Sequence, residues 1–504
     1  MDELNIVPGA NVGRRGFLRT AALASAGGML YEAVASASPR NARGDYAVSA
    51  RLFGALGDGK HDDTDSIQKA LNQAAKMGGG IVVLPAGKYL IAGTLTIPEQ
   101  VVLEGIARGP ISHTGLGHRN AHAHVHPSAA DKLTTGENPP RVNTPATPTA
   151  AIPLTAPDPL VPGEPAAMPG AGTTLLAVGQ RGKEDGTPLI TMGTDSALRG
   201  LSIWYPHQNR DKTPVPYPWT VRMHGDNVTV EDVELLNPWR GINADQTQRH
   251  FISNVTGNPL RVGIFLDRVY DIGRIQNVQF NLWWCHNRSI SEFVYRHGEA
   301  FIFGRSDWEY VFNTFSYGYH IGYRFIQGKT GACNGNFLGI GADGSWQAVR
   351  VDQSQAWVNP DQKNRIISPG LLITNGEFVS LNHLDLPGKV DPIQVVVSAG
   401  NFGTVRFSNC SFWGPSHHIA QLAGTGTVGF SGCTFAQWNR DASAIHADCR
   451  RVIINGCEFQ QEGRQVAIGK AVRQAVISGN MFAGPEHITN ASTGNVQIGL
   501  NSAE

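Results

Sequence analysis

Between residues 298 and 310 the chain reads Gly298-Glu-Ala-Phe-Ile-Phe-Gly-Arg-Ser-Asp-Trp-Glu-Tyr310, which sets two carboxylates, Asp307 and Glu309, two positions apart. If residues 305–311 are extended, alternation predicts that Arg305, Asp307 and Glu309 share one face while Trp308 and Tyr310 take the other. Carboxylates so placed lie roughly 7 Å apart at Cβ, which leaves room for a water between a general acid and a general base, as in inverting cleavage of a glycosidic bond. Arg305 would keep one carboxylate ionised while burial raises the other. In this reading Asp307 is the base and Glu309 the acid, or the reverse, with Glu299 and Glu377 completing the set of candidate acids. The bland reading of the same residues is a surface ion pair between Arg305 and Asp307.

Eight of the ten tryptophans, Trp204, Trp219, Trp239, Trp283, Trp284, Trp308, Trp346 and Trp357, fall between residues 204 and 357. An aromatic face covers the C–H face of a sugar ring, so this concentration suits a carbohydrate groove as well as it suits loop packing. Trp283 and Trp284 are adjacent, and in a strand their side chains face opposite ways, which favours the groove; Trp308 joins them as a candidate substrate contact. Arg305, His250, Asp267 and Asp343 are the polar candidates. Asp343 sits in Gly-Ala-Asp-Gly, where local turn hydrogen bonding competes with a binding role.

These residues need a scaffold, and the C-terminal third supplies its signature. Val405-Arg-Phe-Ser-Asn-Cys410-Ser-Phe412, Val428-Gly-Phe-Ser-Gly-Cys433-Thr-Phe435 and Val452-Ile-Ile-Asn-Gly-Cys457-Glu-Phe459 align at spacings of 23 and 24 residues, and Val476-Ile-Ser-Gly-Asn480-Met-Phe482 is a shorter fourth copy. A repeat of this period marks a solenoid, and the apolar alternation inside each copy marks strands. Each copy is one coil of a parallel β-helix, with Cys410, Cys433, Cys457 and Asn480 in one internal ladder and Phe412, Phe435, Phe459 and Phe482 in another. Related units at 198–203, 228–235, 275–280 and 372–378 are spaced irregularly, so loops leave the coils in the middle of the chain. Glu377 falls just before the ladder position, where Ser411, Thr434 and Glu458 stand in later copies, and that position points outward.

Near the other end, residues 53–97 run from Phe-Gly-Ala-Leu-Gly-Asp-Gly-Lys-His-Asp-Asp-Thr-Asp-Ser-Ile through Met-Gly-Gly-Gly-Ile-Val-Val-Leu-Pro. Asp62, Asp63 or Thr64 begins a helix that buries Ile67, Ala70, Leu71 and Ala74, and Gly78-Gly79-Gly80 ends it before the first strand. This stretch resembles the opening of the pectate-lyase-like superfamily. The resemblance implies an all-β, single-stranded right-handed parallel β-helix with an N-terminal capping helix, of the kind found in polysaccharide lyases, glycoside hydrolases and phage tailspikes. The Asn-Thr-Asp, Gly-His-Gly and Arg-Ile-Lys segments of the polygalacturonase-type hydrolases are absent from the sequence, and so is the aspartate cluster of the calcium-dependent pectate lyases. Neither mechanism carries over.

The 504 residues hold 41 Lys+Arg and 41 Asp+Glu, a neutral balance that removes the electrostatic case for nucleic acid or an anionic membrane surface as a partner. Arg14-Arg15 ahead of Phe17-Leu18, a mild apolar run and Ala35-Ser36-Ala37 resemble a bacterial twin-arginine signal. Residues 1–37 would then be removed, leaving 38–504 as one periplasmic or secreted β-helix domain with no membrane insertion of the mature chain. A Pro- and His-rich excursion interrupts it at about residues 108–172; its His122-x-His124-x-His126 lacks a paired carboxylate, and no metal or other cofactor is expected. The six cysteines lack zinc spacing and read as buried free thiols. The expectation is an exported enzyme cleaving a poly- or oligosaccharide with two carboxylates. The alternatives are a lyase that removes the C5 proton of a uronate, and a glycan-binding, tailspike-like protein without catalysis. Members of this superfamily form trimers, which leaves a homo-oligomer open.

Overall fold

The computed structural model describes residues 46–106, 172–209, 211–281, 288–358, 366–381 and 391–504, with Ala47–Glu504 forming one unit. The C-terminal repeat becomes a stack of coils, each laying down three strands. In one coil these are Glu309–Phe312, Phe315–Tyr317 and Ile321–Phe325, and in the next Gly335–Leu338, Gly341–Asp343 and Gln347–Val351. Successive coils pair in parallel and in step, with Val311 opposite Phe337, Ser316 opposite Ala342 and Tyr323 opposite Val349. The first two strands of such a coil belong to a 27-stranded sheet folded round two sides of the cylinder, and the third belongs to a 13-stranded sheet that forms the third side. The fold is a parallel β-helix.

The bend between the first and second sides explains one letter of the repeat. Asn277, Asn313, Asn375 and Asn409 occupy it with φ between 50° and 54°, and Gly339, Gly432, Gly456 and Gly479 with φ between 62° and 69°. Asn and Gly are the residues that tolerate this left-handed conformation, so the Asn or Gly before each ladder Cys is a requirement of the corner. Asn313 Nδ2 donates to Asn277 Oδ1 at 2.8 Å, tying one bend to the next.

Inside, the aromatic ladder extends one coil further than the repeat announces. Phe378, Phe412, Phe435, Phe459 and Phe482 stack with centroids 5.1, 5.5, 4.8 and 5.2 Å apart. Burying each ring contributes about 2–3 kcal/mol. Cys410, Cys433, Cys457 and Asn480 are buried beside it, and the thiols of Cys333, Cys410, Cys433, Cys449 and Cys457 are free.

The helix Thr64–Lys76 lies against the first coils and buries Ile67, Ala70, Leu71 and Ala74. Asp62 and Asp63 hold the approach to it. Asp62 Oδ1 accepts from the Thr64 and Ala92 amides, and the buried Asp63 carboxylate accepts from the Leu56 and Gly57 amides at 2.7 and 3.1 Å. A second helix, Arg288–His297, is inserted before the strand Glu299–Phe303, and the antiparallel pair Trp357–Val358 and Ile366–Ile367 leaves the cylinder two coils later. Such insertions account for the irregular spacing in mid-chain. Arg14-Arg15, the Ala35–Ala37 site, most of the Pro- and His-rich stretch, Trp283, Trp284 and Cys285 lie outside the described residues.

Candidate functional site

The strand expected over residues 305–311 forms only from Glu309 onward, and residues 304–308 make the turn from the third side to the first. The common face expected for Arg305, Asp307 and Glu309 does not form, because Asp307 stays partly exposed in the turn while Glu309 is buried in the strand. Glu309 and Val311 are buried, whereas Trp308, Tyr310 and Phe312 point outward. Glu309 is therefore no partner for Asp307 across a water. Its Oε1 lies 3.0 Å from His250 Nε2, and its Oε2 accepts from Ser306 Oγ at 2.6 Å, all three side chains being buried. His250, expected to meet substrate, is likewise sealed in, with Nδ1 3.1 Å from the Thr247 carbonyl. Burial opposes charge on this imidazole, but the charge and hydrogen bond of Glu309 outweigh it and raise its pKa.

Asp267 is also a builder of the turn. Its buried carboxylate accepts from the Arg268, Arg305 and Lys329 amides at 2.9, 2.7 and 3.1 Å. Asp307 pairs with Arg305 Nη2 at 2.9 Å and accepts from Gln355 Nε2 at 2.5 Å, which is the ion pair of the bland reading with one more clamp. Trp308 emerges from this frame with φ 59°, its amide donating to Asn334 Oδ1 at 3.1 Å. A bulky side chain in the left-handed region costs about 1–3 kcal/mol, so the buried bonds around it over-determine the turn.

The third side carries a charged array that sequence reasoning missed. Arg222, Asn243, Phe265, Ile302, Arg324 and Arg350 occupy one register line across six adjacent strands. Glu299 joins that array instead of the Asp307 turn. It lies between Arg261 at 3.6 Å and Arg324 at 3.1 Å, and Asp352 continues the chain by accepting from Arg324 Nε and Arg350 Nε, each at 2.9 Å. Three guanidinium groups thus face two carboxylates, all three arginines being about one-third exposed. Upstream, Arg240 lies 5.0 Å over the Trp219 ring, and Arg222 and Arg268 share Asp245.

Beside this array His320 Nδ1 is 3.2 Å from the Tyr295 carbonyl of the inserted helix. Facing a carbonyl, Nδ1 carries the proton and Nε2 keeps its lone pair. Burial lowers the His320 pKa, and His297 and Arg350 push the same way against the Tyr295 carbonyl and Glu299, so the ring is neutral at pH 7. The array thus combines cations that can hold a carboxylate with a nitrogen base.

On the second side Asp343 and Glu377 meet. Gly341 is opposite Glu377 and Asp343 opposite Val379, so the two acids are diagonal neighbours on adjacent coils, both outside the cylinder. Burial, with the Glu377 charge adding to it, pushes the Asp343 carboxyl up to about 6. Asp343 is not the turn residue expected: it closes the strand Gly341–Asp343, and its Oδ1 is buried without a hydrogen-bond partner. Exposed Glu377 lies outward as expected, its Oε1 accepting from Trp413 Nε1 at 3.4 Å. Further up this side Glu234, 2% exposed, accepts from Ser202 Oγ at 2.8 Å, and burial pushes it up to about 7.

The four candidate acids are therefore distributed, with Glu299 on the third side, Asp307 at a turn, Glu309 inside and Glu377 on the second side. The residues that the coils do bring together are Arg261, Glu299, Arg324, Asp352, Arg350 and His320. Their types are visible in the sequence, and Arg324 and Arg350 stand one coil apart, but Arg222 joins their line only once the inserted helix Arg288–His297 is removed from the count. Among the described residues no group of three or more His, Cys, Asp or Glu is placed to hold a metal ion, and no helix is long and apolar enough to cross a membrane.

Comparison with known proteins finds likenesses to part of the chain in sequence and to most of it in fold. The sequence model of the family described as rhamnogalacturonase A/epimerase, pectate lyase-like, matches residues 47–137. Alginate lyase 7 of Azotobacter vinelandii is 47% identical over 64 residues, which are 11% of this chain and 8% of that protein. Mannuronan C5-epimerase AlgE5 of the same organism is 47% identical over 72 residues, 13% of this chain and 7% of that protein. The chain thus spans less than a tenth of these curated relatives. Among solved structures, the N-terminal fragment of bacteriophage phi29 gene product 12 superposes with a TM-score of 0.53 at 12% identity, over 90% of this chain and 72% of that one. That likeness shows the fold alone.

Proposed function

We propose that this protein acts on a uronate-containing polysaccharide by removing the proton at C5, the step shared by β-elimination and C5 epimerisation. The observation that carries the reading is the neutral His320 beside the series Arg261, Arg324 and Arg350 on a partly exposed side of the cylinder. The C5 proton of a uronate becomes removable when its carboxylate is neutralised, because charge then develops on the carboxylate oxygens. Arg324 and Arg350 supply that neutralisation, held in place by Glu299 and Asp352, and His320 Nε2 takes the proton. In elimination the C4–O bond then breaks, a C4–C5 double bond forms and the departing oxygen gains a proton. In epimerisation a proton returns to C5 from the opposite face. The local similarity to an alginate lyase and to mannuronan epimerases supports this substrate class.

The test is incubation with a panel of polyuronates in D2O. Ultraviolet absorbance of an unsaturated product identifies elimination, and deuterium at C5 without chain cleavage identifies epimerisation. New reducing ends with neither signal would sink the reading.

Hydrolysis is the second reading, and one observation favours it. Asp343, pushed up to about 6, stands diagonal to Glu377, the arrangement of an acid beside a base. Loss of reducing-end release in both Asp343→Asn and Glu377→Gln is its test. Export by the twin-arginine route fits a polymeric substrate met outside the cytoplasm, and mass spectrometry of the secreted chain would show whether processing occurs after Ala37.

A further inference from the structure

Where the turn enters the first side, three aromatic side chains leave the cylinder in a row. Trp308, Tyr310 and Phe312 are 60%, 43% and 51% exposed, alternating with buried Glu309 and Val311. Tyr310 and Phe312 step along the strand by roughly 7 Å, a distance on the scale of one sugar ring, and Trp308 precedes them from the turn. Tyr270, 49% exposed, belongs to the coil above, where Asp307 donates its amide to the Val269 carbonyl, and Arg305 lies 5.1 Å from the Tyr270 ring centroid. Tyr310 is opposite exposed Arg274 on one neighbouring coil and Asn336 on the other, and Phe312 opposite Gln276 and Leu338.

Solvation alone gives no reason for this arrangement. An indole that served packing would be buried, and a glycine would suit φ 59° better. The fold instead fixes Trp308 outward through the Asn334 bond, the His250–Glu309–Ser306 chain beneath it and the three amides gathered by Asp267. Rings in a row, flanked by guanidinium groups and amides, match a chain of pyranoses that offers C–H faces to the rings and carboxylates to the cations. A flat apolar partner would leave Arg274, Gln276 and Asn336 unpaired in its footprint.

We propose that Trp308, Tyr310 and Phe312 form a stacking platform for successive sugar rings of an acidic polysaccharide, with exposed Arg274 meeting its carboxylates. This binding site lies on a different side of the cylinder from the arginine array. The acidic nature of the polymer rests on the function proposed above; the stacking does not. The platform gives a long polymer a second hold, so it acts on polymer affinity and leaves the reaction on short oligomers alone.

The experiment measures binding of the full-length protein to alginate, polygalacturonate and a neutral β-glucan by affinity electrophoresis and titration calorimetry. The variants are Trp308→Gly, Tyr310→Ala and Phe312→Ala, singly and together, with Arg324→Ala as the contrast. Trp308→Gly relaxes the left-handed turn, so a cooperative unfolding curve with a midpoint at or above that of the wild type certifies its fold, and Trp308→Tyr should rescue binding. The expected result is polyuronate affinity weakened about tenfold or more in the triple variant, with turnover of short oligouronates unchanged. Arg324→Ala should retain platform binding even if no turnover is found in any protein, which separates this inference from the catalytic one. Equal loss on the neutral glucan supports the platform while removing the acidic polymer from it. Wild-type affinity in the triple variant overturns the proposal, as does the absence of polysaccharide binding in the wild type. A triple variant that loses self-association in sedimentation while keeping its glycan affinity also overturns it, because the occupant is then a second copy.

Discussion

Nε2 of His250 and Oε1 of Glu309 lie 3.0 Å apart, 59 residues distant in sequence and both out of reach of solvent. This pair turns a candidate acid into part of the frame beneath Trp308. Removing one partner strands the other in the core, so Glu309→Leu should destabilise the protein by about 3–5 kcal/mol, measured by urea unfolding. The pH dependence has a fixed sign. Glu309 raises the folded-state pKa of His250, so the pair's contribution is complete below the unfolded value and fades as pH rises through the folded one. The penalty of Glu309→Gln should therefore be larger near pH 6 than near pH 9.

Arg324 links Glu299 to Asp352, and its loss both removes a cation from the array and leaves two carboxylates facing the substrate. Arg324→Ala should lower kcat/KM on a polyuronate by about 100-fold or more. Arg324→Lys should recover only part of this, since an ammonium cannot reach Glu299 and Asp352 in the same planar geometry. Initial rates on a defined oligouronate check both.

For His320 the relevant direction is downward. A base whose pKa burial lowers below the ordinary histidine value is mostly deprotonated at neutral pH, so activity should rise with pH on the acid side and level off at a lower pH than an ordinary histidine would give. His320→Gln should abolish turnover while leaving polymer affinity intact. A pH–rate profile with an acid limb that survives in a still-active His320→Gln would assign the base elsewhere.

The scaffold was legible because its ladder repeats the same residue types at nearly constant spacing: Cys410, Cys433 and Cys457, then Phe412, Phe435 and Phe459. The strand was legible from Glu309 onward, but the turn at residues 304–308 was read as part of it. Period-two reasoning separates Glu309 from Trp308 and Tyr310 but does not say which set faces the core, and polarity misleads when a buried carboxylate finds Ser306 and His250 inside. The arginine array was invisible for another reason. Arg222, Arg324 and Arg350 share a register line, yet the inserted helix Arg288–His297 and unequal loops scatter them in sequence. Asp343 and Glu377 were both picked out singly. Their adjacency needed the pairing of Gly341 with Glu377.

Glu234 offers a test of stability away from the proposed chemistry. Burial holds its carboxyl up to about 7, so the folded state keeps a proton that the unfolded chain releases near the ordinary glutamate value. Stability contributed below that ordinary value is lost as pH rises through 7. Glu234→Gln keeps an acceptor for Ser202 without the charge, and should stabilise the protein at pH 8 by on the order of 2 kcal/mol while having little effect at pH 4. Thermal unfolding at the two pH values measures it.

The acid pair on the second side can be read by titration even where its chemistry is unknown. Burial raises Asp343 first and the Glu377 charge adds to it, so Glu377→Gln removes only the smaller contribution. The Asp343 carboxyl, followed by carbon-13 NMR, should then titrate below its wild-type value of about 6 but still above an ordinary aspartate. Asp343→Asn removes a carboxylate that must ionise against burial, and should raise stability at pH 7 by on the order of 1–2 kcal/mol, discounted for its partial exposure. An Asp343 titration unmoved by Glu377→Gln would mean that the two groups do not share a field, and hydrolysis by this pair would lose its support. If the titration moves and glycan turnover is unaffected by either substitution, the diagonal pair is a feature of the coil surface and the arginine array alone carries the chemistry.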